Sequence, residues 1–141
     1  MKEKSESLTK SKARVKELGE VFTPAALVSE MLDKMPADCW LPGKTWLEPS
    51  CGTGNFLVQI LQRKLAKGHP PLQALATIYG VDIMKDNVVE SRKRLLQGVI
   101  DGGLDWEGPD LRKAVKILKQ NIRQGNTLEQ PLAEIFRKDS V

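Results

Sequence analysis

The residues best placed to do chemistry form the run Glu48-Pro49-Ser50-Cys51-Gly52-Thr53-Gly54-Asn55-Phe56. Gly52 and Gly54 lack Cβ atoms, so the chain can turn tightly there and a ligand can come close to the backbone. A short β-rich run, Thr45-Trp46-Leu47-Glu48, leads into the turn, and a helical pattern leaves it at Asn55. Such a turn aims backbone amides outward at the positive end of a helix, a place that can hold an anion or a carboxylate. Two acids sharpen this reading. Glu48 precedes the turn, and Asp82 closes the next β-rich run, Ala76-Thr77-Ile78-Tyr79-Gly80-Val81-Asp82. An α/β topology brings both to the C-terminal edge of one sheet, where ligands bind. There Asp82 is placed to accept the two hydroxyls of a ribose, while Ile83 offers an apolar face to a base. A dinucleotide fold would use such an acid too, but its third glycine would fall at Leu57, and Glu48-Pro49 is foreign to its fingerprint.

Other reactive residue types read as structural. Cys51 reads as a small turn residue, because no His or other base accompanies it in sequence. His69, set between Gly68 and Pro70-Pro71, reads as a surface loop residue. Cys39, Cys51 and His69 cannot close a zinc site at their spacing, and two cysteines make no disulfide framework, so a reduced, metal-free interior is expected. Trp40, Trp46 and Trp106 read as core or lid packing rather than stacking platforms. The net charge of +4 permits a nucleic-acid partner without arguing for one. Arg92, Lys93 and Arg94, with Arg112, Lys113, Lys116 and Lys119, sit on amphipathic segments and read as solvated faces.

The elements that must position these residues follow from periodicity. Thr23 serves as a capping hydroxyl before Pro24, and Leu27, Val28, Met31, Leu32 and Met35 recur at helical spacing until Pro36. From Asn55 a second helix presents Phe56, Leu57, Val58, Ile60, Leu61 and Leu65, and stops at Gly68 and Pro70-Pro71, read as a loop. Val88, Val89, Leu95, Leu96, Val99 and Ile100 mark a helix ending near Gly102-Gly103. Leu111, Val115 and Leu118 mark another, after a Gly- and Asp-rich loop carrying Trp106. Residues 121–126 supply a third strand. Strands alternating with helices predict an α/β chain with a three-stranded parallel half-sheet and right-handed crossovers. A chain of 141 residues suits one compact domain, here a charged arm over 1–17 and a folded unit over 18–141. No run approaches the roughly 20 apolar residues that span a bilayer, and the first residues lack the apolar centre of a secretory signal. A cytoplasmic chain with no membrane partner is therefore expected.

The run Leu47-Glu48-Pro49-Ser50-Cys51-Gly52-Thr53-Gly54-Asn55-Phe56 resembles motif I of the amino-methylating DNA methyltransferases. Gly19-Glu20-Val21-Phe22-Thr23-Pro24 resembles their motif X, Tyr79-Gly80-Val81-Asp82-Ile83 motif II, and Gly125-Asn126-Thr127-Leu128 motif III. Motif X ahead of motif I is the order of the adenine-N6 group, which includes methylase subunits of restriction-modification systems. The resemblance covers residues 17–128. It implies a partial Rossmann-like class I methyltransferase fold and S-adenosyl-L-methionine as cofactor.

By the same resemblance Phe22, Thr23 and Pro24 line the methionine end of the cofactor. Glu48, Gly52 and Gly54 shape the turn beneath it, within a binding run that includes Pro49, Ser50, Cys51 and Phe56. Asp82 binds the ribose, Ile83 packs on the adenine, and Asn126 stands where the family often has an Asp reaching the adenine amino group. The family transfers the methyl group at a later motif, Asp or Asn followed by Pro-Pro and an aromatic. The sole Pro-Pro pair, Pro70-Pro71, lies between motifs I and II, so no catalytic residue is assigned. The implied function is the cofactor-binding half of a DNA adenine-N6 methyltransferase, with DNA as substrate, active when another chain supplies catalysis. The alternative is a non-catalytic regulatory or interaction module in a methylase or restriction complex. In the family's sheet the strand over 45–48 is central and its fourth-strand neighbour is missing here. A homodimer or a partner polypeptide completing the sheet is therefore expected.

Overall fold

The computed structural model describes residues 22–137, and the expected arm over 1–17 and the segment Gly19-Glu20-Val21 lie outside the described residues. The first helix, α1 (Ala25–Asp33), is capped by Pro24 in extended conformation, and Thr23 makes no capping hydrogen bond. The expectation for Thr23 is corrected by one residue, because the Pro24 carbonyl itself accepts from the Leu27 and Val28 amides at 3.1 and 3.0 Å. Only Val28 and Leu32 of its apolar stripe are buried, while Leu27, Met31 and Met35 are exposed. A 3₁₀ turn at Ala37–Trp40 follows Pro36.

Strand β1 (Trp46–Glu48) opens through the glycine turn into α2 (Asn55–Ala66), then α3 (Pro71–Ala76) and β2 (Ile78–Asp82). Helix α3 corrects the loop reading of the proline pair: Pro70 caps the helix, and Pro71 takes the first helical position, where a missing N–H costs nothing. After β2 come α4 (Lys85–Asp101), α5 (Asp110–Asn121), β3 (Ile122–Gln124) and the short α6 (Leu132–Ile135). The strands are parallel in the order β1-β2-β3, with Glu48 opposite Gly80 and Gly80 opposite Ile122. The sheet flanked by helices is that of a partial Rossmann-like methyltransferase fold.

Both crossovers run in one direction along the sheet, and the right-handed sense that such connections follow places their helices on one face. Along β2, alternation gives that face Ile78 and Gly80 and the other face Tyr79 and Val81. The main core lies on the first face, where Ile78 and Ile122 cluster with Leu57, Ile60 and Leu61 of α2, Leu95 and Val99 of α4, and Ala114 and Leu118 of α5. Gly80 is required there by space, since a Cβ would stand 2.7 Å from Leu57 and 3.2 Å from Cys51. Trp40 and Trp46 stack at this core with centroids 4.5 Å apart, whereas Trp106 is 59% exposed and packs neither core nor lid.

The second face is covered more lightly. Tyr79 meets Phe136 edge-on at 5.6 Å, and a cavity of about 360 Å³ is lined by Thr45, Trp46, Leu47, Tyr79, Leu132 and Phe136. The two sheet edges also differ. On β3 the Ile122 carbonyl accepts from Arg92 Nε at 3.0 Å. On β1 the Trp46 amide donates inward to the Thr77 carbonyl at 2.9 Å. Backbone groups alternate along a strand, so those of Leu47 face away from β2, and Leu47 is 43% exposed.

Candidate functional site

The glycine turn is built by β1 and β2 together. Pro49 ends β1, yet the Cys51 amide still donates to the Val81 carbonyl at 2.8 Å, which carries the pairing one step past the strand. Gly52 and Gly54 then take left-handed conformations, with φ of 54° and 94°, and Gly54 caps α2. The Gly52 amide donates to Asp82 Oδ1 at 3.0 Å. Asp82 Oδ2 accepts from the Met84 amide at 3.0 Å and from Asn87 Nδ2 at 2.9 Å. The carboxylate at the tip of β2 thus clasps the turn at the tip of β1, and it is only 5% exposed. A carboxylate offers about four acceptor positions, so little of Asp82 is left for a ligand while these bonds hold. This structural duty was not foreseen from sequence.

The other expected residues gather around this clasp. Glu48 is half-buried, its Oε1 accepts from the Ser50 amide at 3.1 Å, and burial raises its carboxyl above the ordinary value against the weaker, opposing effect of that bond. Pro49 and Ser50 are exposed at the turn's mouth, and Phe56 is half-buried at the first turn of α2, packed against the core. Ile83 is 44% exposed beside Asp82, the apolar surface expected for a base. Thr127 Oγ1 donates to the Pro49 carbonyl at 3.3 Å, which draws the loop after β3 to the end of β1. In that loop Asn126 Oδ1 accepts from the Leu128 amide at 3.0 Å, and Gln130 Oε1 accepts from the Asn126 amide at 2.8 Å.

Phe22 is buried, and its ring lies against Gly52, where a Cβ would come within 2.8 Å of it. It therefore forms a wall of the turn. Thr23 is half-buried, with its carbonyl accepting from Asn55 Nδ2 at 2.7 Å, and Pro24 is exposed. Cys51 is buried, and that burial pushes its thiol up to about 12, so it holds its proton and is a packing residue, as expected.

Helix α4 contributes a polar stripe that periodicity had hidden. Asn87, Ser91 and Arg94 share one face at i, i+4 and i+7. Asn87 holds Asp82, Ser91 Oγ donates to the Gly52 carbonyl at 2.9 Å, and Arg94 donates to the Thr53 carbonyl at 2.9 Å and to Asn55 Oδ1 at 2.8 Å. With the carbonyls of Gly52 and Thr53 held toward α4, the turn is locked from beneath. Arg92 and Arg94 are therefore half-buried and bonded to main-chain carbonyls rather than standing on a solvated face, contrary to expectation, and burial lowers both guanidinium groups from their ordinary values. Lys93, Arg112, Lys113, Lys116 and Lys119 are exposed as expected. The signal available was a helix whose polar residues recur on the same side as its buried ones.

Among the described residues no group of three or more His, Cys, Asp or Glu side chains is placed to hold a metal ion. No helix of the described residues is long and apolar enough to cross a membrane.

No family model and no solved structure matches the chain. The chain is 36% identical over 89 residues to the type II methyltransferase M.VspI of Vibrio sp. (strain 343), a match that takes in 62% of this chain and 19% of that protein. The chain thus spans about a fifth of the length of the curated relative it matches. Sheet, glycine turn and sequence likeness together make this a methyltransferase-like chain.

Proposed function

We propose that the chain holds S-adenosyl-L-methionine over the glycine turn, as the cofactor-binding half of a DNA adenine-N6 methyltransferase whose catalytic residues come from another chain. The observation that carries this reading is convergence: the turn at Gly52, the carboxylates of Glu48 and Asp82, the exposed Ile83 and the Phe22-Thr23-Pro24 segment meet at one end of the sheet. The residues present fit the cofactor's chemistry. Its sulfonium and ammonium groups are cationic and suit the half-buried Glu48, its carboxylate suits the positive start of α2, and its adenine suits Ile83. Asn126 Oδ1 already accepts from the Leu128 amide, so what it has left for the base is an NH₂ group, a donor for a ring nitrogen rather than an acceptor for the amino group. Bound there, the cofactor supplies a methyl group activated by a positively charged sulfur. Asp82 would accept a ribose hydroxyl on its remaining lone pair, or exchange the Met84 bond for it. Calorimetric titration with S-adenosylmethionine tests this, and saturable one-to-one heat is expected.

The partner follows from the sheet. A strand added beside β1 would pair with the outward groups of Leu47 and cover the cavity against Tyr79 and Phe136. DNA is the substrate proposed for the assembled enzyme, not for this chain alone. Tritium transfer to DNA by the chain with a methylase-type partner, and none by the chain alone, is the expected result.

One observation favours a second reading, a non-catalytic module of a methylase or restriction complex. Asp82 is nearly sealed by three internal donors, as in a pocket kept for its architecture. Capture of a methylase-type partner together with no heat on titration would select this reading.

A further inference from the structure

We propose that Asn55 and Arg94 form a latch that docks the Phe22-Thr23-Pro24 segment against the glycine turn and so completes the cofactor pocket. The inference rests on the pocket assignment above and goes beyond it by naming what closes one wall. Arginine can only donate hydrogen bonds. With Arg94 Nη1 at 2.8 Å, the Asn55 side chain must present its oxygen to α4. Its NH₂ group is thereby turned toward the Thr23 carbonyl, which it meets at 2.7 Å. The same guanidinium nitrogen also donates to the Thr53 carbonyl at 2.9 Å, between the two glycines. One cation therefore fixes the turn and orients the amide that holds the segment above it.

The segment is also built to move on its own. Below Asn55, the α2 face continues with Gln59 donating to the Ala25 carbonyl at 2.8 Å and Arg63 to the Ser29 carbonyl at 3.0 Å. Arg63 further pairs with Asp33 at 2.8 Å. These lower rungs keep α1 on α2 if the top rung opens. Release at Asn55 then frees Thr23, and with it the Phe22 ring that rests on Gly52.

Asn55→Asp separates the two halves of the latch. The carboxylate keeps Arg94 and suits the start of a helix, but it sets an oxygen against the Thr23 carbonyl and loses the donor. Limited proteolysis of the full chain with chymotrypsin reads docking directly, because cleavage after Phe22 requires its ring to leave the turn. The variant should be cut there about tenfold faster, the worth of one such hydrogen bond, with an unchanged unfolding temperature. Its affinity for S-adenosylmethionine should fall by a similar factor, and the ligand should slow cleavage of the wild type. Arg94→Lys, which retains a donor to Asn55, should fall between the two. Wild-type protection of Phe22 in Asn55→Asp would overturn the latch, as would faster cleavage with unaltered affinity. If the wild type binds no S-adenosylmethionine yet the cleavage difference appears, the pocket assignment fails and the docking contact stands. Should Asn55→Asp not fold, Arg94→Met, which has no donor for Asn55, puts the same question, and unchanged cleavage in that variant would count against the latch.

Discussion

The Asp82 carboxylate accepts from Gly52, Met84 and Asn87 within the protein, so replacing either oxygen by an NH₂ group sets donor against donor. Asp82→Asn should lower unfolding stability by about 1 to 3 kcal/mol, measured by denaturant titration, and should weaken S-adenosylmethionine as well. Unchanged stability would show that the clasp holds nothing. Glu48 behaves differently, because its carboxyl is raised by burial from an ordinary value of 4.5. A carboxyl raised in the folded state favours folding below its unfolded value, and that contribution is lost as pH rises through the folded value. Glu48→Gln keeps an acceptor for the Ser50 amide and removes the charge. Its unfolding temperature should match the wild type near pH 4 and equal or exceed it at neutral pH, while cofactor affinity falls. A variant less stable than wild type at neutral pH would contradict the assignment.

At the scale of elements, the start of β2 depends on a buried amine. Lys64 of α2 is fully buried, with Nζ 2.8 Å from the Lys44 carbonyl and 2.9 Å from Thr77 Oγ1, so it ties the approach of β1 to that of β2. Burial lowers its ammonium below the ordinary 10.5. The unfolded chain then binds more protons, so wild-type stability should climb with pH in the window below 10.5. Lys64→Met should lack that climb, and it should be less stable at neutral pH by about 1 to 3 kcal/mol because two acceptors lose their donor. Equal pH profiles would overturn the role. Such polar rungs explain what the sequence left unread. Apolar spacing made the helices from Asn55, Lys85 and Asp110 legible, because each buries one face in the core at Ile78 and Ile122. Lys64, Ser91 and Arg94 occupy the same buried faces, but their side chains look solvated to a pattern that counts only apolar residues. Glycines, strand ends and acids in order made the turn at Gly52 legible, but not the engagement of Asp82 with it, which depends on where two loops meet.

At the scale of the molecule, the sheet's two edges face different fates. Arg92 occupies an outward acceptor of β3, as charged edge residues do to prevent pairing, whereas β1 presents the exposed Leu47 at its middle beside an apolar cavity. Two copies meeting at β1 around a two-fold axis would pair antiparallel. Sedimentation should show concentration-dependent association that Leu47→Lys abolishes, and a wild-type monomer at all concentrations would remove self-pairing. Whether the glycine turn seats the cofactor is read by titration calorimetry with S-adenosylmethionine. Saturable one-to-one binding by the wild type that Asp82→Asn weakens is the predicted result. A folded wild-type chain that takes up no S-adenosylmethionine would show that the turn is not a cofactor seat.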